Sequence, residues 1–181
     1  DKAIVRIKTT ETATVTATLG TKSVSTTITV KAQEKPLFTD ISVKHPYKEE
    51  LKYLVENKLI GGYPDGSFKP EEALTRGQAA VLLARALNLN TKAPTDPGFS
   101  DLPATNTYYG AVSAIVEAGI MKGTSDTTFE AGKPLTRAQM AKILVEAYGL
   151  LGTTDSKFKD VSDKHWAYEY ITTLADAGVI N

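Results

Sequence analysis

The sequence predicts a mainly α-helical chain of tandem helix-loop-helix repeats, preceded by a short antiparallel β segment. Three observations lead to this fold class. Residues up to Gln33 alternate between apolar and polar, a unit of about 60 residues recurs from Phe38 onward, and apolar residues inside each unit have helical spacing.

The β segment is rich in threonine and valine and has a period of two, as half-buried strands do. Three segments alternate in this way, at residues 3–7, 13–19 and 24–30. Gly20 supplies a permissive backbone for a hairpin turn over residues 19–22. Three short strands are marginal when nothing covers their apolar face. We therefore interpret residues 1–34 as the end of an immunoglobulin-like domain.

The repeats occupy the second region, residues 35–181, which begins where Pro36 breaks the strand pattern. Each copy opens with a Phe-x-Asp triplet, at Phe38, Phe99 and Phe158. The first two copies are 61 residues apart and stay in register without a gap through the Thr-Arg-x-Gln segments at Thr75 and Thr136. The copies cover residues 38–90, 99–151 and, in part, 158–181. The third copy reaches Asn181, where the second half of the unit would begin.

The first half of each copy predicts a helix followed by a loop. The helix carries a narrow apolar stripe, formed by Leu51, Leu54 and Val55 in the first copy and by Val112, Ile115 and Val116 in the second. Glycines and prolines in the loop over residues 61–70 predict tight turns that position Tyr63 and Phe68.

The second half predicts a helix that begins with a capping box. The Thr75 hydroxyl can accept the Gln78 amide while the Gln78 side chain reaches back to the cap, and Thr136 and Gln139 repeat the pair. A buried stripe then follows in each copy: Ala79, Leu82, Leu83, Ala86 and Leu87 in the first, and Met140, Ile143, Leu144, Ala147 and Tyr148 in the second. One helix pair cannot bury such faces alone, so we expect the repeats to pack on each other.

Composition restricts the possible functions. Basic and acidic residues balance at 21 each, so no global field attracts nucleic acid, and anion binding needs local placement of charge. The absence of cysteine removes disulfides, thiolate nucleophiles and zinc-thiolate sites. The sequence has no apolar run of about 18 residues and does not open on a signal-like segment, so we expect a mature or trimmed chain without a membrane span.

Several motifs follow one another in order, and two of them, Phe-x-Asp and Leu-Thr-Arg-x-Gln, recur at fixed spacing. The motifs are the Phe-x-Asp triplet, a His-Trp pair at His165, a Gly-Tyr-x-Asp-Gly-x-Phe-x-Pro loop at residues 62–70, and Leu-Thr-Arg-x-Gln at residues 74–78. In this combination residues 38–181 resemble the S-layer homology domain. The resemblance implies three repeats in a pseudo-threefold helical bundle, with grooves between neighbouring repeats that bind secondary cell-wall polymers. The ligand group it implies is commonly a pyruvate ketal on N-acetylmannosamine.

The resemblance also implies an extracellular location, in the cell wall or S-layer of a bacterium, and no cofactor. The sequence departs from the family pattern in three ways. The third copy ends before any Thr-Arg-x-Gln segment, Trp166 aligns with Pro46 and Thr107 in the other copies, and the second copy has Thr127 where the first has the glycine of Asp-Gly. We therefore expect the sites of the repeats to differ.

Arg76 and Arg137 are the leading candidates for binding the anion. Each follows a helix cap, where the helix dipole is positive and a cation is slightly unfavourable. An arginine beside exposed amides forms a carboxylate or phosphate site, because the guanidinium and the helix N-terminus can point at one anion. The alternative is that each arginine pairs with an acid elsewhere. If both bind ligand, replacing either with alanine leaves thermal unfolding nearly unchanged.

Five further residues are candidates for ligand contact: Gly62, Gly123, Tyr63, Lys122 and Trp166. A glycine allows close approach of backbone to a sugar, although a turn that needs a positive φ explains both glycines equally well. Tyr63 and Trp166 can stack on a sugar ring, and a core position is the alternative for Trp166. Lys122 adds positive charge to a groove or is simply an exposed lysine.

Other recurring polar residues indicate structure rather than chemistry. Asp40, Asp101 and Asp160 each precede a helix and are interpreted as cap or turn residues. His45 and His165 occupy equivalent slots without a nucleophile elbow or metal-binding spacing, so they are interpreted as helix-entry residues and an enzyme is not favoured.

The sequence therefore favours non-covalent anchoring of a surface protein to the cell wall through an anionic, pyruvylated polysaccharide. The alternative is a structural module that self-assembles in a surface lattice, with exchange of elements between chains. The incomplete third repeat and the short strand segment motivate this alternative, because both leave apolar surface to cover.

Overall fold

The computed structural model describes residues 11–30, 35–152 and 158–181. In chain order its elements are β1 (Glu11–Leu19), β2 (Lys22–Val30), α1 (Lys48–Glu56), α2 (Arg76–Ala86), α3 (Tyr109–Glu117), α4 (Arg137–Tyr148) and α5 (Tyr168–Asp176). The predicted class, helical repeats preceded by an antiparallel β segment, is confirmed. The strand predicted at residues 3–7 lies outside the described residues, and the pseudo-threefold arrangement and the immunoglobulin-like origin stay predictions.

The chain divides into two compact units. The first comprises residues 1–50 and 62–68, and the second comprises residues 51–61 and 69–181. The division differs from the predicted boundary after residue 34, which stays a prediction about sequence domains. The candidate site described below lies wholly within the second unit.

The first unit contains a regular hairpin. β1 and β2 pair antiparallel with Leu19 opposite Lys22, and Gly20 adopts the left-handed φ of 61° that the predicted turn requires. Because side chains alternate across a strand, one face is a ladder of hydroxyls, in which Thr16 and Ser25 hydrogen-bond at 2.7 Å. Val24 on the other face is 75% exposed. The hairpin therefore presents apolar side chains to solvent.

The recurring aspartates join the two ends of a repeat's first half. Asp40 accepts a hydrogen bond from the backbone N–H of Phe68 at 2.8 Å, and Asp101 accepts the equivalent bond from Phe129 at 2.9 Å. The rings of Phe99 and Phe129 pack with centroids 5.6 Å apart. The structural role predicted for Asp40 and Asp101 is confirmed, although each closes a loop rather than capping a helix.

Both second helices begin at the predicted capping boxes. The Thr75 hydroxyl accepts from Gln78 N–H at 3.3 Å and the Gln78 side chain accepts from Thr75 N–H at 2.9 Å. Thr136 and Gln139 make the same two bonds at 3.1 and 3.0 Å. Arg76 and Arg137 thus occupy the first helical position, as predicted.

The core of the second unit surrounds α3. Val112, Ile115 and Phe129 are completely buried, and residues of α2 and α4 pack on the same cluster. Among the described residues, no helix is both long enough and apolar enough to span a membrane.

The predicted stripe of the second helix is wrong at one position in each copy. Ala86 is exposed, and Tyr148 is 53% exposed, whereas Ala80 and Ala84 are buried. The buried side of α2 includes small residues, and a Cβ on Gly77 would stand 2.7 Å from the Tyr108 ring. The side of α2 that carries Gly77 and Ala80 therefore faces inward, and Ala86 does not.

Candidate functional site

A cavity of about 330 Å³ opens beside the N-terminus of α2. Its walls come from α2, from the segment after α3 and from α4. Trp166, which lies just before α5, completes the lining. The lining residues are Arg76, Gly119, Ile120, Met121, Lys122, Gly123, Gln139, Lys142, Ile143, Glu146 and Trp166. The cavity therefore collects four predicted contact residues from separate parts of the sequence, Arg76, Lys122, Gly123 and Trp166.

Arg76 forms the buried end of this cavity and is only 9% exposed. Its Nε donates to the Phe129 carbonyl at 2.8 Å, and its Nη2 donates to the Lys122 carbonyl at 2.6 Å. The guanidinium carbon also stands 4.5 Å from the centroid of the Phe129 ring, a cation-π contact. Arg76 thus holds the second-repeat loop against the first-repeat helix.

The charge of Arg76 is not neutralised by an ion pair among the described residues. Burial lowers the pKa of the Arg76 guanidinium, and the negative charges of Glu130 and Asp101 offset only part of this effect. A guanidinium remains protonated in proteins, so the site keeps a full positive charge. Among the described residues Arg76 forms no ion pair with an acid, and backbone carbonyls accept from its Nε and Nη2 instead.

Part of the Arg76 fork stays available to a ligand. Nε and Nη2 are engaged, and in the described part of the chain Nη1 has no hydrogen-bond partner. No buried side-chain nitrogen or oxygen in that part is left without a partner, so Nη1 is not enclosed by protein. Since Arg76 lines the cavity, Nη1 can donate two hydrogen bonds to an anion there.

The helix N-terminus itself does not face an anion at α2, contrary to the prediction. Arg76 N–H donates to Lys133 O at 2.9 Å and Gly77 N–H donates to Ala131 O at 2.8 Å. Gln78 N–H is taken by the cap. The first amides of the helix are therefore satisfied by the loop of the next repeat, so at α2 the Arg76 side chain, and not the helix N-terminus, brings positive charge to the cavity.

Arg137 differs from Arg76 although it holds the same repeat position. It is exposed, and it is not among the residues that line the cavity. The two arginines are therefore not equivalent, in line with the expectation that the sites differ.

Gly62 and Tyr63 belong to the first unit, whereas the cavity lies in the second. Gly62 has a φ of 68°, and a Cβ on it would stand 2.5 Å from the Phe38 ring and 2.7 Å from the Ser67 carbonyl. Tyr63 N–H donates to Ser67 O at 2.8 Å. These contacts explain Gly62 by turn geometry, the alternative that the sequence left open, and its contact with ligand stays a prediction.

Gly123 is crowded in a different way from Gly62. Its φ is not positive, yet a Cβ would clash with the Ser125 carbonyl and would stand 2.6 Å from the Phe99 ring. Trp166 is 57% exposed, which excludes the core position that was its alternative. Lys122 exposes its side chain while its carbonyl holds Arg76.

Comparison with known proteins agrees with this architecture. The model of the S-layer homology domain matches residues 37–80, 98–141 and 157–181, which together make up more than half of the chain. The chain belongs to the S-layer homology family. The predicted membership is thereby confirmed, as is its location at the bacterial cell surface.

Three relatives show how this S-layer homology region is distributed. The chain is 42% identical over 74% of its length to the surface-layer 125 kDa protein of Lysinibacillus sphaericus, covering 11% of that protein. It is 35% identical over 78% of its length to the S-layer protein sap of Bacillus anthracis, covering 18% of it. It is 34% identical over 67% of its length to the cellulosome-anchoring protein of Acetivibrio thermocellus, covering 29% of it. The chain thus spans less than a third of each.

Sequence reasoning missed one wall of the cavity. Gln139, Lys142 and Glu146 project from one side of α4 because they are three, four or seven residues apart. That spacing was visible in the sequence, but only the structure shows that this side of the helix faces Arg76. Sequence reasoning also missed Phe129, whose carbonyl and ring support the guanidinium.

In this S-layer homology chain each of the two histidines accepts a backbone hydrogen bond just before a helix. His45 Nδ1 accepts from Tyr47 N–H, and His165 Nδ1 accepts from Ala167 N–H, both at 3.2 Å. The predicted helix-entry role is confirmed. Within the described residues no cluster of histidine, cysteine or acidic residues could hold a metal ion.

Proposed function

We propose that this chain anchors a bacterial surface protein to the cell wall by binding an anionic, pyruvylated secondary cell-wall polysaccharide in the Arg76 cavity. The observation that carries the proposal is a buried guanidinium that lines the cavity, lacks an ion pair among the described residues, and has no hydrogen-bond partner for Nη1 there. A carboxylate is the natural partner of such a group, because charge-assisted hydrogen bonds are short and strong.

The surrounding charges favour an anionic ligand. Lys122 and Lys142 join Arg76 around the cavity, while Glu146 is the one acid that lines it within the described residues. The chain as a whole has no net charge. Attraction for an acidic polymer therefore comes from this local excess of cations, which the partial burial of Arg76 strengthens by excluding water.

Trp166 provides the apolar part of the same cavity. Its ring is largely exposed, and an exposed indole beside a cationic site is a platform on which a sugar ring can stack. A carboxylate at Arg76 and a pyranose on Trp166 together describe an acidic sugar rather than a simple anion. The pyruvate ketal that the family resemblance implied supplies such a carboxylate.

The names of the relatives support a role in anchoring. An S-layer protein and a cellulosome-anchoring protein share this region as a small part of much longer chains. A common module within differently named surface proteins supports a shared role in attachment. We extend that role to the protein from which this chain derives.

Binding to purified cell walls tests the proposal. The chain is incubated with walls before and after chemical removal of the secondary polymer, and the fraction that sediments is measured. We expect sedimentation with intact walls, lower binding at high salt, and loss of binding after the polymer is removed. Equal binding to both preparations would contradict the proposal.

Self-assembly in a surface lattice is a second candidate, favoured by the apolar face of the hairpin. Val24 and Leu19 are 75% and 87% exposed, which is unfavourable for a face that nothing covers. If this face mediates association, light scattering shows a mass that rises with concentration, and Val24→Thr lowers it. A concentration-independent monomer mass would eliminate this candidate.

A further inference from the structure

One wall of the cavity offers more to a ligand than the positive charge of Lys142. Gln139, Lys142 and Glu146 lie on the same side of α4 and line the cavity that contains Arg76 and Trp166. Lys142 Nζ lies 5.7 Å from the centroid of the Tyr170 ring, so its ammonium has an aromatic neighbour. Because α4 holds these three side chains in fixed positions along the cavity, they can distinguish ligands by the groups that a ligand presents to them.

The polar side chains that line the cavity offer many hydrogen-bond donors and few acceptors. Arg76, Lys122 and Lys142 can only donate. Gln139 has its carbonyl oxygen engaged by Thr136 N–H, which leaves its amide hydrogens as donors. Among the described residues that line the cavity, Glu146 therefore carries the one side-chain group that only accepts.

Glu146 is also free to serve a ligand. It is exposed, and in the described part of the chain it forms no ion pair, although Lys142 lies one helical turn away. A carboxylate in a cationic cavity weakens the binding of a bare anion such as phosphate. The same carboxylate gains energy from a ligand that offers hydroxyl donors at that end.

From this pattern we propose that Glu146 is a specificity-determining residue that accepts hydrogen bonds from ring hydroxyls of the bound sugar. The assignment rests on the proposed function and refines it. The ligand is then an acidic sugar with two recognised ends, an anion that meets Arg76 and a hydroxyl that meets Glu146. Trp166 lines the same cavity and offers the ring an aromatic surface.

The test compares two synthetic probes by calorimetry. One is the methyl glycoside of pyruvylated N-acetylmannosamine, and the other is the same compound with its one remaining free hydroxyl methylated. The native chain is expected to bind the methylated probe about tenfold more weakly, since a hydrogen bond to a charged group is lost. Glu146→Ala is expected to bind the unmethylated probe about tenfold more weakly and to lose the discrimination between the two.

Glu169→Ala is the matched control, because Glu169 is an exposed helical acid outside the cavity lining and its loss changes net charge equally. It should behave as the native chain. Glu146→Ala should unfold at the native temperature, which separates recognition from stability.

The outcomes distinguish the two proposals. If the native chain binds both probes equally, or Glu146→Ala keeps the discrimination, the assignment of Glu146 is wrong while the anchoring proposal stands. If the native chain binds neither probe nor intact cell walls, the anchoring proposal fails and the assignment fails with it.

Discussion

The guanidinium of Arg76 makes contacts in two directions. Nε and Nη2 hold the carbonyls of Phe129 and Lys122, and Nη1 has no hydrogen-bond partner in the described part of the chain. The same side chain therefore fixes the loop of one repeat and offers charge to a ligand. Arg137 has neither contact in the described residues, so the repeat position alone does not determine what an arginine does.

Replacement of Arg76 tests its structural contribution. The sequence predicted that Arg76→Ala leaves unfolding nearly unchanged, but the structure indicates otherwise. The variant leaves two carbonyls without their donor and removes the contact with the Phe129 ring, so we expect the free energy of unfolding to fall by about 2–4 kcal/mol. Arg137→Ala is the control and should change it by less than about 0.5 kcal/mol. Denaturant unfolding monitored by circular dichroism measures both. Equal effects of the two variants would contradict the assigned role of Arg76.

Asp101 makes the stability of the second-repeat loop depend on pH. The backbone N–H groups of Phe129 and Glu130 donate to its two carboxylate oxygens, and these bonds lower the pKa of Asp101 below its ordinary value of 3.8. A carboxylate with a lowered folded-state pKa adds stability above its unfolded pKa and loses it as pH falls through the folded one.

We expect Asp101→Asn to unfold at a lower temperature at pH 7 and to lose less stability than the native chain on acidification below about pH 4. Thermal unfolding at several pH values measures this difference. Parallel stability curves for the two proteins across the acidic range would show that Asp101 contributes nothing through its charge.

At the scale of elements, the sequence predicts local features well and tertiary ones poorly. The capping boxes at Thr75 and Thr136 depend on residues three apart, and both form as predicted. The partners of Arg76 lie 46 and 53 residues away, at positions that nothing near Arg76 indicates. The exposure of Ala86 was mispredicted for a related reason, because the buried side of α2 is the one that carries Gly77, which packs on Tyr108 from another helix region.

The loop after α3 depends on a glycine that has no room for a side chain. We expect Gly123→Ala to destabilise the chain by about 1–3 kcal/mol, because its Cβ would meet two carbonyls and the Phe99 ring. Gly132→Ala is the control, since no atom lies within 4 Å of its Cβ. Thermal unfolding compares the two variants, and a native transition for Gly123→Ala would contradict the crowding.

At the scale of the whole molecule, the second unit supplies every residue of the cavity. Its first and second repeats meet there through Arg76 and the segment after α3, and the partial third repeat contributes Trp166. The site therefore requires sequence from all three copies. Repeat detection from the sequence predicted that the copies pack together, but not which side chains they would bring to one place.

The binding of a Lys122→Glu variant to intact cell walls tests the central claim most directly. The Lys122 side chain is exposed at the cavity while its backbone carbonyl holds Arg76, so the substitution reverses one charge and keeps the fold. Lys92→Glu is the control, since Lys92 is exposed and outside the lining. We predict that Lys122→Glu sediments with walls at least about tenfold more weakly than Lys92→Glu at low salt. Equal sedimentation of the two variants would contradict binding of an anionic polymer in the Arg76 cavity.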